Sequence, residues 1–515
     1  MIQRRSFLLG WMLVLLPAAL SGQQTTFIMH FDSVQNGRGG RALNIEETPG
    51  GYLVCGYQTS PGPFHQFHTF LRSIDHQGHV LTDQEHWYGD PWENFPGFYW
   101  DQLTPLDEGT YIGSIDSRTA VGTLDKVTYW VRYDASGDTL AIKEVKRTTQ
   151  PDSAFFGFNQ CAQHGAQGAV TYVGTLMEQD DPKTQGWMVR CDGAGDTLWT
   201  KKVGPPDHFI TLYSIDQYPF DGGMVVCGDE FYPGIPDDHL LIRTDSLGNI
   251  IWRLNFGGQG VTPPTVCTTP DSGMVTWTSR DLAPGPDTEV VLELRKWNAM
   301  GDPLWNTTIG PTPNHFLMAQ NMEVMEDGSI ICAAQHLGYA GLWKFSAQGD
   351  SLWLRHYLVF SSPGFGFTMP YDVEPTSDGG YVFCGFSQQG NADPTPNLST
   401  WFVVKTDSLG CVVPGCHLVG VDEYEISLQN ELVIWPNPVA GHLQLELELP
   451  PGYPLSGAVT ARLLDLQGRE VRHWPAELIG GKVYLSTTDL PAQGSYVLHL
   501  TDARRWLAGG KVVVE

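Results

Sequence analysis

The segment from residue 87 to residue 100 carries the side chains best suited to bind a ligand. Seven of its fourteen residues are aromatic, and Asp90 and Asn94 lie among them. Aromatic faces stack on sugar rings, and neighbouring carboxylate and amide groups can bond sugar hydroxyls. Inward packing of the same rings on the body of the protein is the simpler interpretation, and glycan binding is the alternative. The candidate ligand-binding residues are Trp87, Tyr88, Trp92, Tyr99 and Trp100.

Pairs of adjacent acidic residues could support the hydrolysis of glycosidic bonds. That reaction uses two carboxylates about 5 to 10 Å apart. Adjacent acids in loops are more often solvated turn residues, and the sequence has no Gly-x-Ser-x-Gly, His-Glu-x-x-His or phosphate-loop motif. We therefore favour a protein without catalytic residues and keep an enzyme as the alternative. The pairs are Glu46–Glu47, Asp180–Asp181, Asp229–Glu230 and Asp237–Asp238.

The sequence predicts no metal site and no cofactor. His65 and His68 are three residues apart, but the alternation of side chains along a strand would direct them to opposite faces. Repeated turns that are rich in Asp and Gly could offer oxygen ligands to Ca²⁺. These turns lack the alternating acidic ligands and the closing Glu of an EF-hand, so no specific motif supports calcium binding.

Six of the nine cysteines have positions that suggest a role. Cys411 and Cys416 lie five residues apart around a Pro-Gly pair, and an oxidising exterior would allow a local disulfide between them. The other four stand at one equivalent position of a repeated apolar strand, where a small buried residue is expected. They are Cys55, Cys227, Cys332 and Cys384.

A repeated unit between the two ends of the chain decides the fold. Each unit begins with a turn and an apolar strand, as in residues 50–56, and continues with two strands joined by a tight turn around a glycine. Asp, Asn or Ser stands three residues before that glycine, where its side chain can close the turn. In four copies Trp stands four residues after the glycine. The turn glycines are Gly78, Gly137, Gly195, Gly248, Gly301, Gly349 and Gly410, and the tryptophans are Trp199, Trp252, Trp305 and Trp353.

The spacing of the turn glycines, 48 to 61 residues, indicates the architecture. With about four short strands per unit, this period predicts an all-β chain with a seven-bladed β-propeller over residues 23–416. A Trp at a fixed place in successive sheets would fill the space between them. The last unit lacks its outer strand, and residues 27–31 precede the first unit as an apolar strand without a partner. We predict that this strand completes the seventh blade and so removes a sheet edge.

The two ends of the chain are distinct from the repeats. Residues 1–22 are typical of a secretory signal peptide, because Arg4-Arg5 precede a short apolar run and small residues. That run is shorter than the roughly 20 residues of a transmembrane helix, and we expect no transmembrane segment in the mature chain. Residues 417–430 are interpreted as a linker. Alternating runs over residues 431–515 predict a small C-terminal β-sandwich.

Four blocks occur in order in this C-terminal region. Trp-Pro-Asn-Pro comes first, then Asp-Leu-Gln-Gly-Arg-Glu-Val, then Gly-Ser-Tyr-Val-Leu, and the chain stops at Lys-Val-Val-Val-Glu. This order resembles the type A C-terminal sorting domain of type IX secretion in Bacteroidetes-type bacteria, with Trp435 in place of the usual Tyr. The resemblance implies a sorting signal that includes Trp435, Pro436, Asn437, Pro438, Gly468, Gly494 and Lys511.

The resemblance also implies a location and a first partner. The type IX secretion machinery would carry the protein from the periplasm to the outside or to the outer cell surface. The net charge of −27 makes nucleic acid an improbable partner, because a polyanion would be repelled. For the propeller we favour a non-catalytic binding or scaffolding module for glycans or surface proteins. The alternative is an extracellular glycan-active hydrolase or lyase, for which carboxylates from several blades should converge at one end of the channel.

Overall fold

The computed structural model of the chain has β-strands as its regular elements. Within the described residues no helix is among the named elements, so the predicted all-β class is confirmed. The structure describes residues 25–30, 39–59, 67–86, 93–96, 103–106, 109–118, 126–148, 155–164, 168–178, 181–205, 208–232, 235–257, 262–282, 289–313, 317–357, 359, 367–388, 399–412, 416, 432–448, 458–465, 469–479, 482–502 and 506–515.

The chain opens with one short strand and a nine-stranded sheet. The strands are β1 (Phe27–His30), β2 (Gly40–Thr48), β3 (Gly51–Thr59), β4 (Phe67–Asp75), β5 (Val80–His86), β6 (Glu93–Pro96), β7 (Leu103–Leu106), β8 (Thr110–Arg118), β9 (Lys126–Asp134) and β10 (Thr139–Thr148). Within the sheet, β2 to β5 and β7 to β10 are two antiparallel meanders. Strand β6 joins these meanders by pairing with β4 and β8.

Four meanders of four strands follow, and then one of three. Their strands are β11 (Phe155–His164), β12 (Ala169–Glu178), β13 (Asp181–Cys191), β14 (Thr197–Val203), β15 (Phe209–Tyr218), β16 (Gly223–Tyr232), β17 (Ile235–Thr244), β18 (Ile250–Asn255), β19 (Thr265–Thr268), β20 (Met274–Asp281), β21 (Glu289–Trp297), β22 (Pro303–Pro313), β23 (Leu317–Val324), β24 (Ile330–His336), β25 (Tyr339–Phe345), β26 (Ser351–Tyr357), β27 (Phe367–Pro375), β28 (Tyr381–Gln388) and β29 (Ser399–Thr406). Each meander is an antiparallel sheet in chain order.

The N-terminal strand completes the last of these meanders. Strand β1 pairs antiparallel with β29, from Phe27 opposite Lys405 to His30 opposite Phe402. The prediction that residues 27–31 complete the last unit is therefore confirmed for Phe27–His30. Each meander also packs on the next, as β13 does on β15, β16 on β19, β20 on β23 and β24 on β27. Since β2 packs on β27, β28 and β29, the first and last meanders are neighbours.

The turns with side-chain closure occur in all seven units, as the sequence predicts. Asp245 is typical, because its carboxylate accepts hydrogen bonds from the N–H groups of Leu247 (2.9 Å) and Asn249 (2.8 Å). Asn298 and Ser346 do the same in the two units without Asp. The glycine at the fourth position has φ between 74° and 86° in every copy, a range that favours glycine. These hairpin turns span residues 75–79, 134–138, 192–196, 245–249, 298–302, 346–350 and 407–411.

The repeated tryptophans join one sheet to the hairpin turn of the next. A Cβ atom placed on Gly248 would lie 2.7 Å from the Trp199 ring, and one placed on Gly349 would lie 2.8 Å from Trp305. The indole of Trp252 donates a 3.1 Å hydrogen bond to the carbonyl oxygen of Ala299 in the following turn. The constant spacing of Gly and Trp within the repeat therefore reflects a contact between neighbouring sheets.

Replacement of Gly301 by alanine tests this contact. The new Cβ would lie 2.8 Å from Leu254 and 3.3 Å from Trp252, and overpacking of this kind costs about 2 kcal/mol in addition to backbone strain. Gly257 is a matched control, since it also has a positive φ but no described residue lies within 4 Å of the added atom. We expect Gly257→Ala to cost only the strain, about 1 kcal/mol, in urea unfolding. Equal losses for the two variants would contradict the packing argument.

The cysteines occupy two environments. Cys411 and Cys416 are joined by a disulfide, with their Cα atoms 5.7 Å apart. Burial raises the pKa of the Cys55 thiol to about 12, so this group stays protonated at neutral pH. All four repeat cysteines are buried in the second strand of a meander, which agrees with a packing role: Cys55, Cys227, Cys332 and Cys384.

The C-terminal region forms two four-stranded sheets. Its strands are β30 (Leu432–Trp435), β31 (Leu443–Glu448), β32 (Thr460–Leu464), β33 (Glu470–Pro475), β34 (Glu477–Ile479), β35 (Lys482–Thr487), β36 (Gly494–Thr501) and β37 (Trp506–Val514). One sheet has the order β30-β31-β35-β34 and the other β33-β32-β36-β37. Buried residues of both sheets, Leu445 and Leu498 among them, belong to one hydrophobic cluster. A search of the described residues for helices that could cross a bilayer finds none.

Candidate functional site

The aromatic segment lies largely outside the described residues. Trp87, Tyr88, Trp92, Tyr99 and Trp100 all fall in that undescribed part, so their role in glycan binding stays a prediction. Between them, strand β6 pairs with β8. In the part of the chain that the structure describes, no three His, Cys, Asp or Glu side chains are grouped so that they could hold a metal ion.

A buried carboxylate, Asp372, joins the first strands of three meanders. It accepts hydrogen bonds from the side-chain amides of Asn44 (2.8 Å) and Asn321, and from the N–H groups of Ile45 (2.8 Å) and Val373 (2.9 Å). Asn44 and Ile45 belong to β2, Asn321 to β23 and Asp372 to β27. The carboxylate therefore links the last meander to the meanders on both sides of it.

The protonation of Asp372 is affected by this environment. Burial raises the pKa of the carboxyl group to about 6, although the four hydrogen bonds act in the opposite direction. A carboxyl group with such a pKa can transfer protons near neutral pH. Both oxygens, however, are occupied by donors of the surrounding strands, and the residue is fully buried. Its geometry therefore assigns it to holding the meanders together.

Asp216 makes a similar link between two other meanders. Its carboxylate on β15 accepts hydrogen bonds from the backbone N–H (2.6 Å) and the hydroxyl (2.7 Å) of Thr268 on β19. Two residues earlier, the Ser214 hydroxyl accepts a 3.1 Å bond from the N–H of Val266. Burial raises the pKa of Asp216, and both of these bonds from Thr268 come from neutral groups.

A polar cavity of about 160 Å³ lies beside this link. Strands β15, β19 and β23 line it, and Asp216, Thr268, Asn321 and Glu323 supply its polar groups. Two carboxylates from different meanders thus border one cavity. Among the described residues, this cavity is therefore the candidate site for a small ligand.

The predicted acidic pair Asp229–Glu230 is found in a polar cluster on the fourth complete meander. Glu230 pairs with His208 and Arg253, and it accepts a 2.8 Å hydrogen bond from Asn255. Burial would raise the pKa of Glu230, but hydrogen bonds from Arg253, His208 and Asn255 outweigh it and lower the pKa. This carboxylate is therefore a structural anion.

Asp229 takes part in a hydroxyl–imidazole–carboxylate chain. His239 Nδ1 lies 2.7 Å from the Asp229 carboxylate, and its Nε2 lies 2.9 Å from the Thr278 hydroxyl. The order of groups is that of a nucleophile activated by an oriented base. Thr278 and His239 are only 2% and 1% exposed, so a substrate cannot reach the hydroxyl in this conformation. The chain instead connects β17 to β20 of the next meander.

The other predicted acidic pairs show no catalytic arrangement in the described residues. Glu47 accepts two hydrogen bonds from Ser377, at 2.7 and 2.8 Å, and Asp238 accepts one of 2.7 Å from the N–H of Gly257. Glu46 is buried. The side chains of Asp180, Asp181 and Asp237 lie outside the described residues.

The C-terminal motif residues are partly brought together. The Asn437 side chain donates a 2.7 Å hydrogen bond to the carbonyl oxygen of Lys511 and accepts a 3.0 Å bond from the N–H of Val513. The first and last blocks of the predicted sorting signal are therefore in contact. Gly494 is the first residue of β36, which pairs with β37. Gly468 lies outside the described residues.

Comparison with known proteins gives similar structures but no family. No protein-family model and no curated protein sequence matches the chain. A protein of unknown function from Dyadobacter fermentans is 11% identical over 72% of this chain and 95% of its own, with a TM-score of 0.42. The β-propeller domain of the Trilobed protease from Pyrococcus furiosus is 9% identical over 70% and 93% of the two chains, with a TM-score of 0.38.

An enzyme is also among the similar structures. The GH93 α-L-arabinofuranosidase of Fusarium graminearum is 12% identical over 59% of this chain and 92% of its own, with a TM-score of 0.37. All three TM-scores are below 0.5. The architecture rests on the strand pairing and on the packing between meanders.

Proposed function

We propose that the chain is a seven-bladed β-propeller followed by a C-terminal β-sandwich, and that it acts as a non-catalytic binding or scaffolding module. The observation that carries the proposal is that buried polar groups serve to join the meanders. Asp372, Asp216 and His239 each connect one meander to another through hydrogen bonds. Closure by β1 supports the count of seven blades, and the single hydrophobic cluster between two sheets supports the sandwich.

The proposed route of this module is type IX secretion, with residues 1–22 as the signal peptide and residues 431–515 as the sorting domain. We place the mature protein outside the cell or on its outer surface. Support comes from the four ordered sequence blocks and from the contact of Asn437 with Lys511. The secretion machinery would be one partner of the protein, and a glycan or a surface protein would be the other.

An extracellular glycan-active hydrolase or lyase is the second candidate. The cavity bordered by Asp216 and Glu323 favours it, because glycoside hydrolysis needs two carboxylates around one site. Reducing-sugar release that is lost in the Glu323→Gln variant would favour this candidate over simple binding.

A thermal-unfolding experiment tests the binding role. Mature protein, residues 23–515, would be heated with each member of a glycan panel and with Ca²⁺. A ligand of the native state at 100 times its Kd adds about 2.7 kcal/mol of stability and raises the Tm. We expect a rise with at least one glycan that is lost in Trp92→Ala and Trp100→Ala. Phe220→Ala is the control, since Phe220 is exposed elsewhere. No rise with any glycan would contradict glycan binding.

A further inference from the structure

The tight turns of every meander lie at one end of the sheets. In a four-stranded antiparallel meander, the first and third turns are at the same end. Lys405, beside the hairpin turn 407–411, bonds the Asp378 carboxylate of the first turn in its meander at 3.0 Å. Neighbouring meanders are aligned, since Thr307 bonds the carbonyl of Gly349 (2.8 Å) and Tyr357 that of Gly410 (2.7 Å). We call the end that carries the seven hairpin turns the turn face.

Exposed apolar side chains collect at the turn face. Among the described residues of the repeats, eleven of the sixteen exposed large apolar side chains lie within three residues of a hairpin-turn glycine. Six of them share one position, three residues after the hairpin glycine, and each is 53 to 57% exposed. They are Leu81, Leu140, Leu198, Ile251, Leu304 and Leu352.

The repetition of this position distinguishes it from ordinary surface exposure. Single apolar residues on a surface need no explanation, but the same half-exposed aliphatic position in six meanders forms a band. The next residue along the strand, such as Trp199 or Trp252, packs against the neighbouring meander. Because side chains alternate along a strand, the aliphatic side chain points to the opposite face of its own sheet. Leu247, Met300 and Leu409, at the third position of three hairpin turns, add exposed apolar area beside it.

The turn face is also strongly anionic. The seven hairpin turns contain nine aspartates, five at the first position and four at the fifth, and no Lys or Arg. The first turns of the later meanders add Asp221, Asp271, Asp327 and Asp378. Arg243, Lys296 and Lys405 neutralise part of this charge from within the third strands, and Lys143 on β10 pairs with Asp196.

We propose that the turn face is a docking surface for a basic protein partner whose Lys and Arg side chains are interleaved with apolar ones. Charge complementarity selects this occupant, because aspartates placed beside aliphatic groups attract cations while the aliphatic band is buried. The same charge opposes face-to-face contact with a second copy and contact with anionic lipid. The side chains that carry this proposal are not among those that line the cavity, and the proposal does not depend on a glycan ligand.

Calorimetry on the mature protein tests the proposal. The ligand is a synthetic amphipathic peptide that carries Leu on one face and Lys on the others. We expect binding that weakens with added salt. The variant Leu198→Ser/Ile251→Ser/Leu304→Ser/Leu352→Ser should lose about tenfold or more in affinity. The variant Asp196→Asn/Asp302→Asn/Asp350→Asn should lose affinity and most of the salt dependence. It spares the first-position aspartates, which close the turns.

The control is Phe231→Ser/Leu282→Ser, because these side chains are 40% and 45% exposed but lie at or next to the ends of β16 and β20 that are remote from the turn face. It should bind the peptide as the unchanged protein does. Equal loss in the control and the turn-face variants would overturn the proposal, as would the absence of peptide binding. Preferential binding to phosphatidylglycerol vesicles, or a dimer that the serine variant abolishes, would identify a different occupant and also overturn it.

Discussion

Replacement of Asp372 by alanine is expected to lower the free energy of unfolding by about 4 kcal/mol. The substitution would leave two side-chain amides and two backbone N–H groups of buried residues without their acceptor. These donors lie on β2, β23 and β27, so the loss weakens the contact between the first and last meanders. Urea unfolding would measure the change.

Asp350→Ala is the control for this substitution. Asp350 is exposed at the end of a hairpin turn, and its removal should change the stability by less than about 0.5 kcal/mol. If Asp372→Ala were as mild as Asp350→Ala, the buried carboxylate would not be needed to hold the meanders together.

The pH dependence of the same site gives a second measurement. The pKa of Asp372 is raised from 3.8 to about 6, so the part of its contribution that depends on protonation is complete below pH 4 and is lost as the pH rises through 6, while the hydrogen bonds to the surrounding strands remain. A change of this size in the pKa corresponds to about 3 kcal/mol of stability. The stability difference between the unchanged protein and Asp372→Asn should therefore grow as the pH falls from 7 to 4. A difference that shrinks instead would mean that the four hydrogen bonds outweigh burial and depress the pKa.

The repeat could be predicted from the sequence because its contacts are local or periodic. An Asp three residues before a Gly closes its own turn, and this needs no knowledge of the rest of the fold. The Trp199-to-Gly248 contact crosses between meanders, but it recurs with the same spacing in later units. The pairing of β1 with β29 could be predicted because an extra strand precedes the first repeat and the last repeat lacks its outer strand.

Asp372 could not be recognised in the same way. Its partners Asn44 and Asn321 are 328 and 51 residues away in the sequence, and equivalent positions in other meanders carry other residues, such as Ser214. The sequence nevertheless contains one signal for the position of this link. Asp372 stands opposite Cys384 and Asn44 opposite Cys55, so the repeated cysteine position marks the place where the first strands meet.

The acidic pairs illustrate the limit of adjacency as a sign of catalysis. Asp229 and Glu230 are neighbours on β16, and side chains of neighbouring strand residues point to opposite faces. One carboxylate therefore pairs with His239 and the other with His208 and Arg253. The two carboxylates that do border one cavity, Asp216 and Glu323, come from different meanders, and only the folded chain brings them together.

Deletion of residues 511–515 is expected to leave most of the protein in the periplasm, provided that the proposed type IX route is correct. Cell fractionation with immunoblotting would measure the distribution. The deletion removes the Lys511 carbonyl and the Val513 N–H that bond Asn437. It also removes the bonds of 2.7 and 2.9 Å that join Val439 to Val513 and Glu515. The first and last blocks of the sorting signal would then no longer be held together.

Two further variants separate loss of the signal from loss of the fold. Leu478→Ser changes an exposed residue of β34 and should leave export unchanged. Asn437→Ala keeps the terminal residues but removes the side chain that holds them, so partial retention in the periplasm is expected if their placement is what the machinery recognises. Protease resistance of the repeats in the retained protein would establish that the meanders fold without the tail. Normal extracellular levels of the deletion variant would disprove the sorting role of residues 511–515, because the protein would then leave the cell without them.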